Sequence, residues 1–161
     1  GAERLELLAR LGAERTVDLT GEDLVAAVRE ATGGRGADIV IDPVGGEVFD
    51  ASRRCVAWEG HLVTIGFASG TIPTVPANHV LLKNYSVTGL HCGAYREHDP
   101  EAMRTAHEAL LRLYAEGEIE PLVYPLPAGT EPPEALALLE RGGVYGKLVL
   151  PVGAGSNSSI A

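Results

Sequence analysis

Two corners of the sequence set a strand-length apolar run directly against glycine. Ile39-Val40-Ile41 is closed by Asp42 and Pro43, then by Val44, Gly45 and Gly46, and Glu47-Val48-Phe49 opens a helical pattern straight after. Leu62-Val63-Thr64-Ile65 runs in the same way into Gly66 and Phe67. Glycine lets a flat ring or a phosphate approach the main chain and take hydrogen bonds from its N–H groups. A glycine pair between strand and helix is equally the punctuation of a tight turn, so either corner alone leaves both readings open. In open parallel sheets, ligands lie in the crevice beyond the carboxyl ends of the strands, and both corners are expected on that same rim.

The remaining reactive side chains form no ligand set. Cys55 and Cys92 make no CxxC pair, and His61, His79, His91, His98 and His107 show no HExxH or other close spacing. Neither a structural zinc site nor a disulfide framework is expected. The 161 residues suffice for one ordinary domain with a sizeable core. Their 45% hydrophobic and 22% charged content is that of a soluble globular protein. A formal net charge of −9 argues against a nucleic-acid or anionic-membrane partner, since both demand a basic patch. No apolar run reaches the roughly 18 residues of a membrane span, and no signal-peptide pattern opens the chain. These features together describe a cytoplasmic, metal-free protein.

The elements that would hold the two corners alternate in type. Leu5, Leu8 and Leu11 give a helical stripe that Gly12 closes, and Thr16-Val17 is a short strand candidate. Thr20 to Asp23 reads as a capping box ahead of a helix through Leu24, Val25 and Val28, ended by Gly33-Gly34. A strand over Asp38–Asp42, a helix to about Val56 and a strand over Gly60–Gly66 follow. Residues 69–84 read as a loop with a short helical turn, and Tyr85–Gly89 as a third strand. Asp99-Pro100-Glu101 starts a helix whose stripe is Met103, Ala106, Leu110 and Leu113. Strands over Leu122–Leu126 and Lys147–Leu150 flank a helix over Glu134–Arg141. This alternation indicates an α/β fold with a parallel sheet flanked by helices, its apolar strands covered on both faces. The closing Gly153 to Ser159 stretch buries too little to order itself.

In the stretch Leu11 to Phe67, LGA follows a helix, a strand carries VD, a helix ends TGGRGAD, and D-x-VGG and LVTIG follow in order. With the ending GGVYGKLVL, these blocks resemble the second half of the nucleotide-binding domain of medium-chain dehydrogenases/reductases. Within that superfamily the zinc-free NADPH:quinone oxidoreductase branch, zeta-crystallin-like, is most similar. The resemblance covers nearly everything from Gly1 to Leu150 and implies the C-terminal half of a longer reductase. It places the C-terminal part of a Rossmann-type domain over residues 1–120. Residues 121–150 become a return segment toward a GroES-like catalytic domain, and 151–161 a flexible tail.

The resemblance further implies NADP(H) as cofactor and a quinone or enone as small-molecule substrate. Arg4 stands where an NADPH-preferring relative binds the adenosine 2′-phosphate, a role suited to guanidinium, although a solvated arginine on a helix face looks the same in sequence. Val44, Gly45 and Gly46 resemble the segment along the nicotinamide-ribose half, with Ile65, Gly66 and Phe67 on the same side. Leu90, His91 and Cys92 match the segment brought toward the nicotinamide carboxamide. Lys147 is similar to a GK lysine that reaches cofactor or substrate, with a surface ion pair as the alternative. No catalytic side chain and no metal ligand is assigned, because the nicotinamide itself supplies the hydride. By the resemblance, the strand at 85–89 lies at the sheet edge and pairs with its twin, which implies a homodimer or a rearranged, swapped assembly. An enoyl reductase of a polyketide synthase, or a non-catalytic dimerisation or folding module, are the competing readings.

Overall fold

The structure is a computed structural model that describes residues 2–151. These form two compact units divided between Met103 and Arg104. The first holds helices α1 (Ala2–Arg10) and α2 (Leu24–Ala31), strand β1 (Ala37–Asp42), helix α3 (Gly46–Cys55), strand β2 (Val56–Thr64), helix α4 (Ala77–Lys83), strand β3 (Ser86–Gly89) and the single turn α5 (Tyr95–His98). Helix α6 (Pro100–Ala115) spans the division, and α7 (Pro132–Glu140) belongs to the second unit.

The sheet is parallel, in the order β1-β2-β3. Val40 stands beside Leu62, and Leu62 beside Val87, so three branched side chains form one rung on one face. Phe49 of α3, Val80 of α4, Val56 and Tyr85 close over that rung as the core. Phe49 and Leu62 are fully buried, which contributes about 1.5–3 kcal/mol each. The opposite face carries Ile39 beside His61 and Ile41 beside Val63. Ile39 is 66% and Ile41 64% exposed, so the expectation of burial on both faces is corrected for this strand. Both connections, through α3 and through α4, lie over the Val40–Leu62–Val87 face, as same-handed crossovers between strands in sequential order require.

Local chemistry sets the element ends. Asp23, rather than Thr20, caps α2, its Oδ1 accepting from the Ala26 N–H at 2.8 Å. Thr20 is instead held in the preceding turn by Asp18. Asp99 caps α6 as its sequence indicates, accepting from Ala102 N–H at 3.0 Å. At the end of α3, Lys83 Nζ donates to Val56 O at 2.6 Å and to Arg54 O at 3.3 Å, tying α4 to the helix whose terminal carbonyls need partners. Within β2, five steps from Val56 to His61 match two along β1. The excess forms a bulge in which Glu59 takes φ +57°.

Several expected elements take another form. Thr16-Val17 is not a strand, and the strands expected over Leu122–Leu126 and Lys147–Leu150 reduce to one parallel bridge between Val123 and Lys147. Pro125 interrupts the first run, and the four-residue second run then has no partner long enough to make a ladder. In α1 the buried residue is Leu7, while Leu8 and Leu11 are exposed. The α6 stripe is not buried: Ala106 and Leu110 are exposed, Met103 and Leu113 half-buried. The tail from Gly153 onward lies outside the described residues.

His79 of α4 sits half-buried against Tyr85, ring edge to face, with Nδ1 3.4 Å from the phenolic oxygen. Burial, then the charges of Arg53 and Lys83, hold its pKa below the ordinary histidine value. The unfolded chain therefore binds more protons than the folded one as pH falls below about 6.5, so this contribution is present above that value and is lost on acidification. Acidification from pH 7.5 to pH 5 should lower the thermal midpoint of the chain more than that of His79→Phe; an equal fall in both would contradict this.

Candidate functional site

Because the strands run parallel and in register, Asp42, Thr64 and Gly89 end side by side, and the segments following them share one rim. Their main chains are laid on one another. Ile65 N–H donates to Asp42 O at 2.9 Å, Ala68 N–H to Pro43 O and Ser69 N–H to Val44 O at 3.0 Å each, and Gly46 N–H to Thr71 O at 3.1 Å. On the other side, Leu90 N–H donates to Thr64 O at 3.0 Å.

The glycine corner after β1 is thus covered by the chain's own loop. Val44 and Gly45 N–H donate to the Asp42 carboxylate at 2.8 and 3.1 Å, and Gly46 N–H is taken by Thr71. The expectation of free donors at Val44, Gly45 and Gly46 is corrected on this point. A Cβ on Gly45, at φ +73°, would stand 2.7 Å from Thr71 O and 3.1 Å from the Phe67 ring. A Cβ on Gly46, at φ +53°, would stand 3.0 Å from Ser69 Oγ. Glycine is needed here for the approach of the 67–73 loop, and the positive φ excludes most other residues anyway.

Free donors lie one strand further on. Among the described residues, the N–H groups of Gly66, Phe67 and His91 have no acceptor. They border a crevice of about 500 Å³ between the tips of β2 and β3, lined by Thr64, Ile65, Gly66, Phe67, Gly89, Leu90 and His91. Ile65, Phe67 and Leu90 stay partly exposed along it and supply apolar walls. Such a slot suits a flat, mostly apolar ring carrying a polar substituent that can accept from main-chain N–H groups.

Five of the residues indicated by sequence, Ile65, Gly66, Phe67, Leu90 and His91, therefore meet in one crevice. Gly45 and Gly46 line a different cavity, of about 820 Å³, between the start of α3 and residues 69–76, where Arg53 Nε donates to Asp50 Oδ1 at 2.8 Å. Val44 is half-buried beneath the loop. Cys92 opens a 3-10 turn, Cys92–Ala94, just past His91 and is exposed. Arg4 is exposed on the first turn of α1. Lys147 belongs to the second unit, where its main chain exchanges hydrogen bonds with Leu122 and Tyr124. Sequence reasoning passed over Asp42, Thr64, Gly89 and Thr71. For Asp42 the available signal was an Asp three residues ahead of a glycine pair, the pattern in which a carboxylate accepts from the N–H groups that follow it.

A parallel sheet that opens one crevice at its strand tips is the architecture of an α/β ligand-binding domain. The family model described as zinc-binding dehydrogenase matches residues 1–111, and the chain belongs to that family. It is 40% identical over 118 residues to the quinone oxidoreductase-like protein 2 homolog of Nematostella vectensis, covering 73% of this chain and 32% of that protein. Among solved structures it is similar to a Pseudomonas syringae pv. Tomato DC3000 quinone oxidoreductase, with a TM-score of 0.79, 25% identity and coverage of 92% of this chain and 46% of that one. A structure of an NAD-dependent alcohol dehydrogenase gives a TM-score of 0.75 and 32% identity, over 95% of this chain and 42% of that one. The chain thus spans about a third of the length of the curated relative. Although the family description names zinc, no three His, Cys, Asp or Glu side chains gather within metal-binding reach among the described residues. None of the described helices is long and apolar enough to cross a membrane.

The two thiols stand in opposite settings. Cys92 is exposed, whereas Cys55, the last residue of α3, is buried, donates to Ser52 O at 3.4 Å, and has its pKa pushed up, chiefly by burial. Thiolate is the reactive form. A chromogenic disulfide reagent at pH 8 should label one thiol per native chain, Cys92 by mass mapping, and the second only in denaturant.

Proposed function

We propose that the chain supplies the nicotinamide side of an NADPH-dependent oxidoreductase that passes a hydride to a quinone or enone. The observation that carries this reading is the crevice at the tips of β2 and β3, with main-chain donors at Gly66 and Phe67 between apolar walls. Its support from relatives is the 40% identity to a quinone oxidoreductase-like protein. The nicotinamide, when bound, supplies the hydride. The residues of the chain hold and shield it: Gly66 and Phe67 N–H give donors to a carboxamide or ribose oxygen, and Ile65 and Leu90 exclude water from the ring. His91 and Cys92 border the same end, while Val44, Gly45 and Gly46 act from beneath by supporting the loop. Arg4 is the group of suitable charge for a 2′-phosphate. Lys147 is assigned to the cofactor or substrate side of the second unit, residues 121–150 being the return toward a catalytic domain.

Titration of the chain with NADPH, followed by nicotinamide fluorescence, tests this. Saturable binding with Kd below about 100 µM, roughly −5.5 kcal/mol, is expected. Arg4→Ala should weaken NADPH about tenfold and leave NADH unchanged. No saturation up to millimolar NADPH would remove the reading and leave a non-catalytic module.

We also propose that β3 pairs with its counterpart in a second copy. It is a four-residue strand at the sheet edge, with Ser86–Gly89 laddered only to β2 among the described residues. An open edge is a template for such pairing. Sedimentation at micromolar concentration should give a dimer that Thr88→Pro converts to monomer; a stable monomer of the unmodified chain would exclude it.

A further inference from the structure

We infer that Asp42 is a positioning residue for the crevice, acting through the turn that follows it and never touching a ligand. The inference rests on the crevice being the cofactor site. Asp42 is 2% exposed at the last position of β1. Its Oδ1 accepts from Val44 N–H at 2.8 Å and Gly45 N–H at 3.1 Å, and Oδ2 lies 3.3 Å from the same Gly45 nitrogen. One buried carboxylate thereby fixes the course of residues 43–46.

That turn is the template for the next loop. Pro43 O and Val44 O take the Ala68 and Ser69 N–H groups, and Gly46 N–H reaches Thr71 O. Gly66 passes so near that a Cβ on it would stand 3.2 Å from Pro43 O. Residues 66–71 thus have their course set by hydrogen bonds to the turn, and the donors at Gly66 and Phe67 are the free end of the same loop. Removing the Asp42 carboxylate leaves two N–H groups in a closed corner with no acceptor. The corner then opens to water to satisfy them, and the loop loses the surface it lies on.

Amide exchange by NMR on the full chain provides the test. In the unmodified chain, Gly45, Ala68 and Ser69 should open as one unit with matching protection. In Asp42→Ala their exchange should rise at least tenfold relative to Leu62 and Val87, and NADPH should bind about tenfold more weakly. Asp42→Asn, which keeps one acceptor oxygen without the charge, should fall between, and it serves if the alanine variant does not fold. Unchanged Ala68 and Ser69 exchange in a folded variant, or unmatched opening in the unmodified chain, would overturn the role of Asp42. If NADPH does not bind the unmodified chain, the cofactor reading falls, while the exchange rates still decide whether Asp42 sets the loop.

Discussion

Parallel pairing in sequential order is the constraint on which the first unit depends. A strand that must return to the same end of a sheet before running parallel to its neighbour needs a crossover, and crossovers of one hand between β1, β2 and β3 fall on one face. Core and rim both follow. The covered face collects Val40, Leu62, Val87 and Phe49, and the strand ends collect Asp42, Thr64 and Gly89. The other face keeps Ile39 and Ile41 in contact with solvent. Position on the rim is thus a consequence of topology, whereas the shape of the rim is set by the loops that leave it.

Those loops are shaped by main-chain hydrogen bonds more than by side-chain packing. Each of the three N–H groups at 44–46 has an acceptor within the chain, two of them on one buried carboxylate. A buried N–H without a partner costs about 1–3 kcal/mol, so this corner is fixed by satisfaction of its own polar groups. The N–H groups of Gly66, Phe67 and His91 border an open crevice and face no such demand. The two glycine corners therefore differ in where their N–H groups go: those at 44–46 find acceptors within the chain, although Gly45 and Gly46 also line a cavity, and those of Gly66 and Phe67 do not.

Much of this was legible in residue order, and the exceptions have physical causes. Apolar runs punctuated by glycine located β1, β2 and their shared rim, and Asp99-Pro100 located the start of α6. What pattern reading could not supply was the identity of the group lying on each glycine. Gly45 and Gly66 look alike in sequence, yet one faces Thr71 O and the other borders the crevice, a difference decided some 25 residues away along the chain. Long-range contact also decided the Ile39-Val40-Ile41 run, which reads as buried on both faces until the positions of α3 and α4 are known. The short runs at 122–126 and 147–150 carry β-formers, but strand formation needs an extended partner, and one bridge does not make a ladder.

Under the proposed reading, the crevice offers a ligand its main chain more than its side chains. Its lining includes one hydroxyl side chain, Thr64, and one imidazole, His91, while the remaining residues are apolar or glycine. A reaction driven by general acids and bases would need titratable groups aimed at the reacting atoms. Hydride transfer asks instead that a ring be held at a fixed angle in a dry slot, and main-chain N–H groups do this with less conformational freedom than any side chain. A rim built from backbone is also tolerant of side-chain change, provided the loop course is kept. The demand for specific residues then moves to those that set the course: Asp42, Gly45 and Gly46, beneath the crevice and outside it.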